Sequence, residues 1–349
     1  MASTATDADA APGAQPGGGA PRRRLRAGTG RWVLRKLVGA SLTLGFVLVF
    51  NFVLFRMMPG DPAKTFLRGR QANPERLAQL RDELGLDDPW PVQFGKYLRE
   101  TLRGNLGDSW SQGNRPVVEL IADRLWPTLL LSGTALVLAA LVGIWLGARS
   151  GWRHGQAFDK GSTGVAIGLY SLPEWWLGLL LLLVFASPAG LNIFPGGGMT
   201  DPRGGVDPVL DTLWHLVLPC TTLTLVYIAQ YALIMRSSVL DERYAEYLTT
   251  ARAKGLRDDQ VLTRHALPNA LLPTLTLFFL SLGFVVSGAI TVETVYSWPG
   301  LGLLSYEALS GPDIPLLQGL FLVFSVTVIL MNLLADLLYP LLDPRVRLS

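Results

Sequence analysis

The stretch Pro127–Gly147, PTLLLSGTALVLAALVGIWLG, runs for 21 residues without a charged side chain. At about 1.5 Å of rise per residue, a helix of that length spans roughly 30 Å, the thickness of the hydrocarbon core of a bilayer. Five further stretches of similar length flank it. Leu37–Phe55, Leu216–Met235 and Leu271–Val292 carry no charge, Val165–Ala186 contains only Glu174, and Leu316–Leu338 contains only Asp336. These six runs predict an all-α polytopic membrane protein with six transmembrane helices, and the even number puts both termini on one side. Composition agrees. Half of the 349 residues are hydrophobic, 16% are charged and mean hydropathy is +0.34, a balance that argues against a soluble enzyme.

Lys and Arg in short connections are retained in the cytoplasm, so their distribution predicts orientation. Arg22–Lys36 holds seven, Ala148–Gly164 three, Arg236–Ala270 six and the segment after Leu338 two, all on the side of the N-terminus. The opposite short loops, Ser187–His215 and Glu293–Pro315, hold one and none. Both termini are therefore expected in the cytoplasm. Residues 1–30, rich in Ala, Gly and Pro without apolar periodicity, read as a disordered tail. A cleaved signal peptide is the competing reading of this end. Against it, the apolar stretch is too long for such a segment and reaches Phe55–Arg56 with no small-residue cleavage site.

The expected organisation is a first transmembrane helix at 31–56, an extracytoplasmic helical insert at 57–125, a five-helix core at 126–340 and a tail at 341–349. Within the insert, Pro59-Gly60-Asp61-Pro62 is a turn cluster, and Asn73-Pro74-Glu75 starts a helix through about Gly85. Asp87-Asp88-Pro89 and Gly104-Asn105-Leu106-Gly107-Asp108 form two more turns.

Catalytic signatures are missing from the sequence. Gly155 through Lys160-Gly161-Ser162 has Lys and Gly in the wrong order for a phosphate loop and lacks a strand before it. His154, His215 and His265 are scattered over three segments, and Cys220 is the sole cysteine, so no metal-ligand cluster forms. Gly168 and Gly178, ten residues apart, do not make a helix-packing seam.

The informative connection is 236–270. Tyr244, Tyr247, Leu248 and Ala251 fall at i, i+3, i+4 and i+7, an apolar stripe on a helix over Tyr244–Ala253. Lys254-Gly255 ends that helix with a left-handed glycine, and Asp258 or Asp259 caps a second helix leading toward His265. From the pattern alone, such a segment is either a docking elbow or an amphipathic helix lying on lipid headgroups.

The segment Thr250-Ala251-Arg252-Ala253-Lys254-Gly255-Leu256, followed by Arg264-His265-Ala266-Leu267-Pro268-Asn269-Ala270, resembles the cytoplasmic loop motif of bacterial ABC importer permeases. That motif reads Glu-Ala-Ala, three residues, Gly, nine residues, Ile, one residue, Leu-Pro. Ala251, Gly255, Leu267 and Pro268 match it; Thr249 and Thr250 replace the Glu and first Ala, and His265 replaces the Ile. These departures are similar to the dipeptide, oligopeptide and nickel permease family. Four further segments carry the same resemblance: Phe55–Pro62, Glu83–Asp87 with Pro91–Phe94, Val292–Gly302, and Leu337–Arg345.

The resemblance implies a type I ABC importer permease fold in a bacterial cytoplasmic (inner) membrane. It also implies a translocation path for dipeptides, oligopeptides or a similar small solute; within the family, nickel, glutathione and oligosaccharide are alternatives. Expected partners are a second homologous permease, two ATP-binding subunits and an extracytoplasmic solute-binding protein, with no nucleic acid. The chain itself is expected to be non-catalytic and to hold no cofactor, ATP and Mg being bound by the partners. Coupling to them is assigned to Tyr244, Tyr247, Leu248, Ala251, Lys254, Gly255, His265, Leu267 and Pro268.

Carboxylates inside a membrane are costly and usually face protein or a watery route, so Glu174 and Glu293, with Trp298, are candidates for the path or its gate. Glu174 follows Pro173 and could equally satisfy carbonyls freed at a kink, and Glu293 could be a capping group. The rival reading is a self-contained secondary transporter or channel; against it, the six runs show no inverted repeat.

Overall fold

The computed structural model describes residues 24–57, 75, 78, 81, 87–205 and 207–342, with side chains from 30 to 338 within those limits. In chain order its helices are α1 (Arg24–Met57), α2 (Trp90–Leu102), α3 (Val117–Trp152), α4 (Ala157–Tyr170), α5 (Glu174–Leu181), α6 (Pro208–Arg243) and α7 (Glu246–Ala253). There follow α8 (Asp258–Val261), α9 (Leu267–Val285), α10 (Ile290–Val295), α11 (Leu301–Ser310) and α12 (Ile314–Leu342). Among the described residues there is no β-strand.

Among the described residues five helices are long and apolar enough to cross a membrane: Gly30–Met57, Val117–Trp152, Pro208–Arg243, Asp258–Val285 and Ile314–Leu338. The sixth expected span is broken. Helices α4 and α5, the latter prolonged by a π-type turn at Leu182–Ala186, meet at 101°. Pro173 lacks an N–H and biases Leu172 away from helical geometry, while the Ser171 hydroxyl donates back to the Ile167 carbonyl at 2.9 Å, so α4 ends there.

The fifth span also departs from expectation, ending at Val285 rather than Val292. Gly288 adopts φ +71, which turns the chain, and Ile290–Val295 is a separate short helix. Apolarity continues through this break, so hydropathy alone ran past the end of the helix. At the other end, α1 begins at Arg24, inside the segment expected as tail.

Helix α3 has 36 residues, or roughly 54 Å, and so projects beyond the hydrocarbon. It lies against α6 along Gly143, Gly147 and Gly151, four residues apart. A Cβ on Gly147 would fall 2.3 Å from the Ala232 carbonyl oxygen and 2.7 Å from the Met235 Cβ; one on Gly143 would fall 2.5 Å from the Tyr231 Cβ. In lipid, small residues bring backbones close enough for dispersion contacts to hold helices together, and this seam does so. Buried apolar clusters lie toward its two ends: Leu131, Leu223, Tyr296 and Trp298 at one, and Trp152, Met235, Leu248 and Val261 at the other.

Helix α1 is held to α12 by ring contacts of Phe50 and Phe55 with Phe321, and by a 2.8 Å ion pair from Lys36 Nζ to Asp336. Phe52 meets the rings of Trp90, Phe94 and Tyr97, so α2 rests on α1. Buried Asn51 donates to the Tyr97 hydroxyl at 3.0 Å. Gly104 and Gly107, with φ of +79 and +84, make the predicted turn after α2. The loop is then tied down by Asp313, whose Oδ2 accepts from the Ser109 and Ser111 hydroxyls at 2.6 and 2.8 Å. Glu75, Ala78 and Arg81 are helical, while Pro59–Pro62, Asn73 and 82–86 lie outside the described residues, as do 1–23 and 343–349.

Candidate functional site

The elbow forms as two short helices joined at Gly255, whose φ is +82. Its first helix starts two residues later than expected, because Tyr244 closes α6 and Ala245, in extended conformation, opens α7. The apolar stripe is thereby split. Leu248 and Ala251, 0% and 6% exposed, sink into the protein's own core against Ala148 and Trp152 of α3, Met235 and Val239 of α6, and Ala266 and Ala270. Tyr244, 78% exposed, and Tyr247 stay on the surface. Thr249, Thr250, Ala253, Lys254 and Gly255 are exposed as well, and His265 is half-buried.

Polar contacts bind the elbow to three spans. Trp152 Nε1 donates to Asp258 at 2.7 Å, and the Arg252 guanidinium sits 5.4 Å above the Trp152 ring and 3.6 Å from the Asp258 carboxylate. The Tyr247 hydroxyl donates to Glu242 at the end of α6 and accepts from Asn269 Nδ2 in α9 at 3.0 Å. Val261 leads through a π-type turn at Leu262–Ala266, and Leu267-Pro268 opens α9, so elbow and span are continuous. Pro268 thus lies inside a continuous helix, where its missing N–H leaves a gap in the hydrogen-bond ladder beside the π-type turn.

Beside the elbow, Asp159 joins the ends of α3, α4 and α6. It is 2% exposed and accepts from Arg236 Nε at 2.6 Å and Nη2 at 3.0 Å, from the Ser150 hydroxyl at 2.6 Å and from the Gly155 backbone at 2.9 Å. The Gly155 N–H thus serves a carboxylate of the protein itself.

At the opposite end of the bundle, the two intramembrane glutamates stand in different surroundings. Glu293 is 0% exposed. Its Oε1 accepts from the Thr128 hydroxyl at 2.9 Å and its Oε2 from the Leu303 backbone at 3.0 Å, with Gly302 N–H adding a further bond. Thr128 accepts in turn from Leu301 N at 2.7 Å. Glu293 and Thr128 therefore cap the first turn of α11, satisfying N–H groups that have no helical partner. Gly300 and Gly302 are required beside the carboxylate, since a Cβ on either would lie 2.3 or 2.9 Å from Oε2. Trp298 is 0% exposed and donates through Nε1 to the Pro127 carbonyl at 2.9 Å. Glu174, at the start of α5, is only half-buried and accepts from the Thr291 hydroxyl.

The family described as "Binding-protein-dependent transport system inner membrane component" matches residues 139–348, and the N-terminal part of such components matches 30–132. The chain belongs to this family. It is 39% identical to a probable peptide ABC transporter permease protein of Sinorhizobium fredii over 91% of this chain and 99% of that one. It is 34% identical to a dipeptide transport system permease protein of Alkalihalophilus pseudofirmus, covering 90% and 99%. A glutathione transport system permease protein of Salmonella paratyphi A is 37% identical, covering 90% and 98%.

The chain is thus a multi-pass permease of the bacterial inner membrane, all-α, as its sequence led us to expect. Two groups in this permease had escaped the sequence reading. Asp159 and Arg236 are 77 residues apart, and only the cost of leaving either charge unpaired near a membrane signals that they must meet. The Trp152–Asp258 clamp joins residues 106 apart and carries no local pattern. A nearer signal was available for the α3–α6 seam, whose three glycines are spaced by four.

Proposed function

We propose that this permease is one of two homologous membrane subunits of an ATP-driven importer of short peptides. ATP and Mg are bound and hydrolysed in two separate subunits, and an extracytoplasmic solute-binding protein delivers the cargo. Both termini and the 244–268 elbow lie on the cytoplasmic side, as the excess of Lys and Arg there argues.

The observation that carries this reading is the anchoring of the elbow. Its inner face is packed beneath α3, α6 and α9, and its outer edge, Tyr244, Thr249, Thr250 and Lys254, is exposed. A push on that edge moves three span ends together, which is what closure of an external ATPase pair requires. The headgroup-lying alternative fits less well, since the apolar residues of α7 are buried in protein. Peptide cargo is supported by the named functions of the relatives.

The test is reconstitution of the permease with its partners in proteoliposomes. Uptake of a labelled dipeptide that requires ATP and the binding protein is expected. Flux through the lone chain, or ATP hydrolysis by it, would overturn the reading.

A further inference from the structure

Between α3, α6 and α9 lies a cavity of about 310 Å³, open on one side where Gln230 and Phe284 are exposed. Polar groups reach it from each span: Ser132 from α3, Tyr227, Gln230 and Tyr231 from α6, and Ser281 from α9, with Ser287 at the break that follows. No lining side chain is charged.

Several of these groups are unpaired. The Ser132 hydroxyl, on a residue 5% exposed, has no hydrogen-bond partner among the described residues. Among those residues the Tyr227 phenol and the Gln230 amide likewise have none, whereas Tyr231 donates to Ser281 at 3.1 Å. Ser132 is buried, Tyr227 half-buried and Gln230 exposed; within a bilayer a buried unpaired polar group costs several kcal/mol, so the Ser132 hydroxyl is stable only against something that hydrogen-bonds to it, water or solute. Acyl chains do not.

The backbone beside the cavity points the same way. Helix α9 stops at Val285 and Gly288, with φ +71, lines the wall. Non-helical backbone at membrane depth is tolerated where it lines a cavity, and interrupted helices are where solutes are held. Hydroxyls and a carboxamide both donate and accept, so they match the alternating N–H and C=O of a peptide main chain without reading its side chains. The volume lies at the lower edge of the roughly 300–1,000 Å³ of small-molecule sites. Two carboxylates stand near: Glu293 Oε1 lies 2.8 Å from where a Cβ on Gly288 would be, and Glu174 is bonded to Thr291, three residues beyond Gly288.

We infer that this subunit carries its own solute-holding site, in which Ser132, Tyr227 and Gln230 bind the main chain of one or two peptide residues within the membrane. The inference rests on the peptide reading above and adds to it where and by what chemistry the cargo is held.

The test uses the assembled transporter with Cys220→Ala, which removes the sole cysteine, and Ser132→Cys. A membrane-impermeant methanethiosulfonate reagent is applied from the outer side with increasing Ala-Ala dipeptide, and Arg103→Cys, at a side chain 68% exposed, serves as the exposed control. Position 132 is expected to be labelled and to be protected by the dipeptide, while position 103 is labelled without protection. In the same background, Tyr227→Phe and Gln230→Leu should each raise the half-protecting dipeptide concentration about five-fold, in line with the loss of one hydrogen bond. A merely structural role would leave that concentration unchanged. If the Cys220→Ala complex imports dipeptide but position 132 is unlabelled, or is labelled without protection, the site is wrong and the importer reading stands. If that complex imports no dipeptide, the peptide reading falls and the site falls with it.

Discussion

Truncating Glu293 should destabilise the permease far more than neutralising it. In Glu293→Ala three buried donors lose their acceptor: the Thr128 hydroxyl and the N–H groups of Gly302 and Leu303. Each stranded donor costs about 1–3 kcal/mol, so a loss of roughly 3–6 kcal/mol is expected once relaxation is allowed. Glu293→Gln is nearly isosteric. Its carbonyl oxygen can accept from Gly302 and Leu303, and its NH2 can donate to Thr128 if that hydroxyl rotates. What remains lost is the charge at the start of α11, worth about 1 kcal/mol. Thermal unfolding of the purified permease, run beside dipeptide uptake by the reconstituted complex, measures both effects. The account expects a large fall in Tm for alanine, and a small fall with transport retained for glutamine. Abolished uptake in Glu293→Gln at an unchanged Tm would refute it, because the charge would then be serving the solute or a gate rather than the helix.

Three other expectations rest on separate parts of the structure. Gly147→Leu drives a side chain into the Ala232 carbonyl, so it should cost about 1–3 kcal/mol or more and lower Tm, whereas Gly161→Leu, with open space around it, should not. Asp159→Asn leaves the Arg236 side chain, 23% exposed, without its counter-charge and should cost about 1.5–3 kcal/mol; a double-mutant cycle with Arg236→Met should show that the two losses do not add. A Cβ on Gly255 would have no neighbour within 4 Å, so Gly255→Val acts only through the φ of +82, at about 1–2 kcal/mol. It should leave insertion intact while lowering peptide-stimulated ATPase activity of the complex, with Gly255→Asn affected less.

The spans were legible because lipid admits long uncharged runs and little else. Their interruptions were less so. Pro173 marks the break between α4 and α5, yet a single proline is compatible with either a kink or a 101° corner, and packing decides. The halt at Val285 is invisible to hydropathy, since Val286, Ala289 and Ile290 are as apolar as the helix before them. Gly255 was readable because one residue type fits its conformation. The stripe at Tyr244, Tyr247, Leu248 and Ala251 was readable as amphipathic, but periodicity does not say whether its apolar residues meet a partner or the chain's own core. Here Leu248 and Ala251 meet Met235 and Val239, so the outward contact must be sought on the neighbouring edge. Glu293 was legible as a costly buried charge, and only the positions of Thr128, Gly302 and Leu303 made it a cap.

That edge offers the most direct test of energy coupling through the elbow. Single cysteines at Thr250, Ala251 and Lys254, each in the Cys220→Ala background, would be cross-linked in the assembled transporter with and without ATP. Positions 250 and 254 are expected to join the ATP-binding subunits, with yields that change on ATP binding, and buried position 251 is expected to give little product. Wild-type transport with no cross-link from either exposed position would contradict the account and return the elbow to the surface of the lipid.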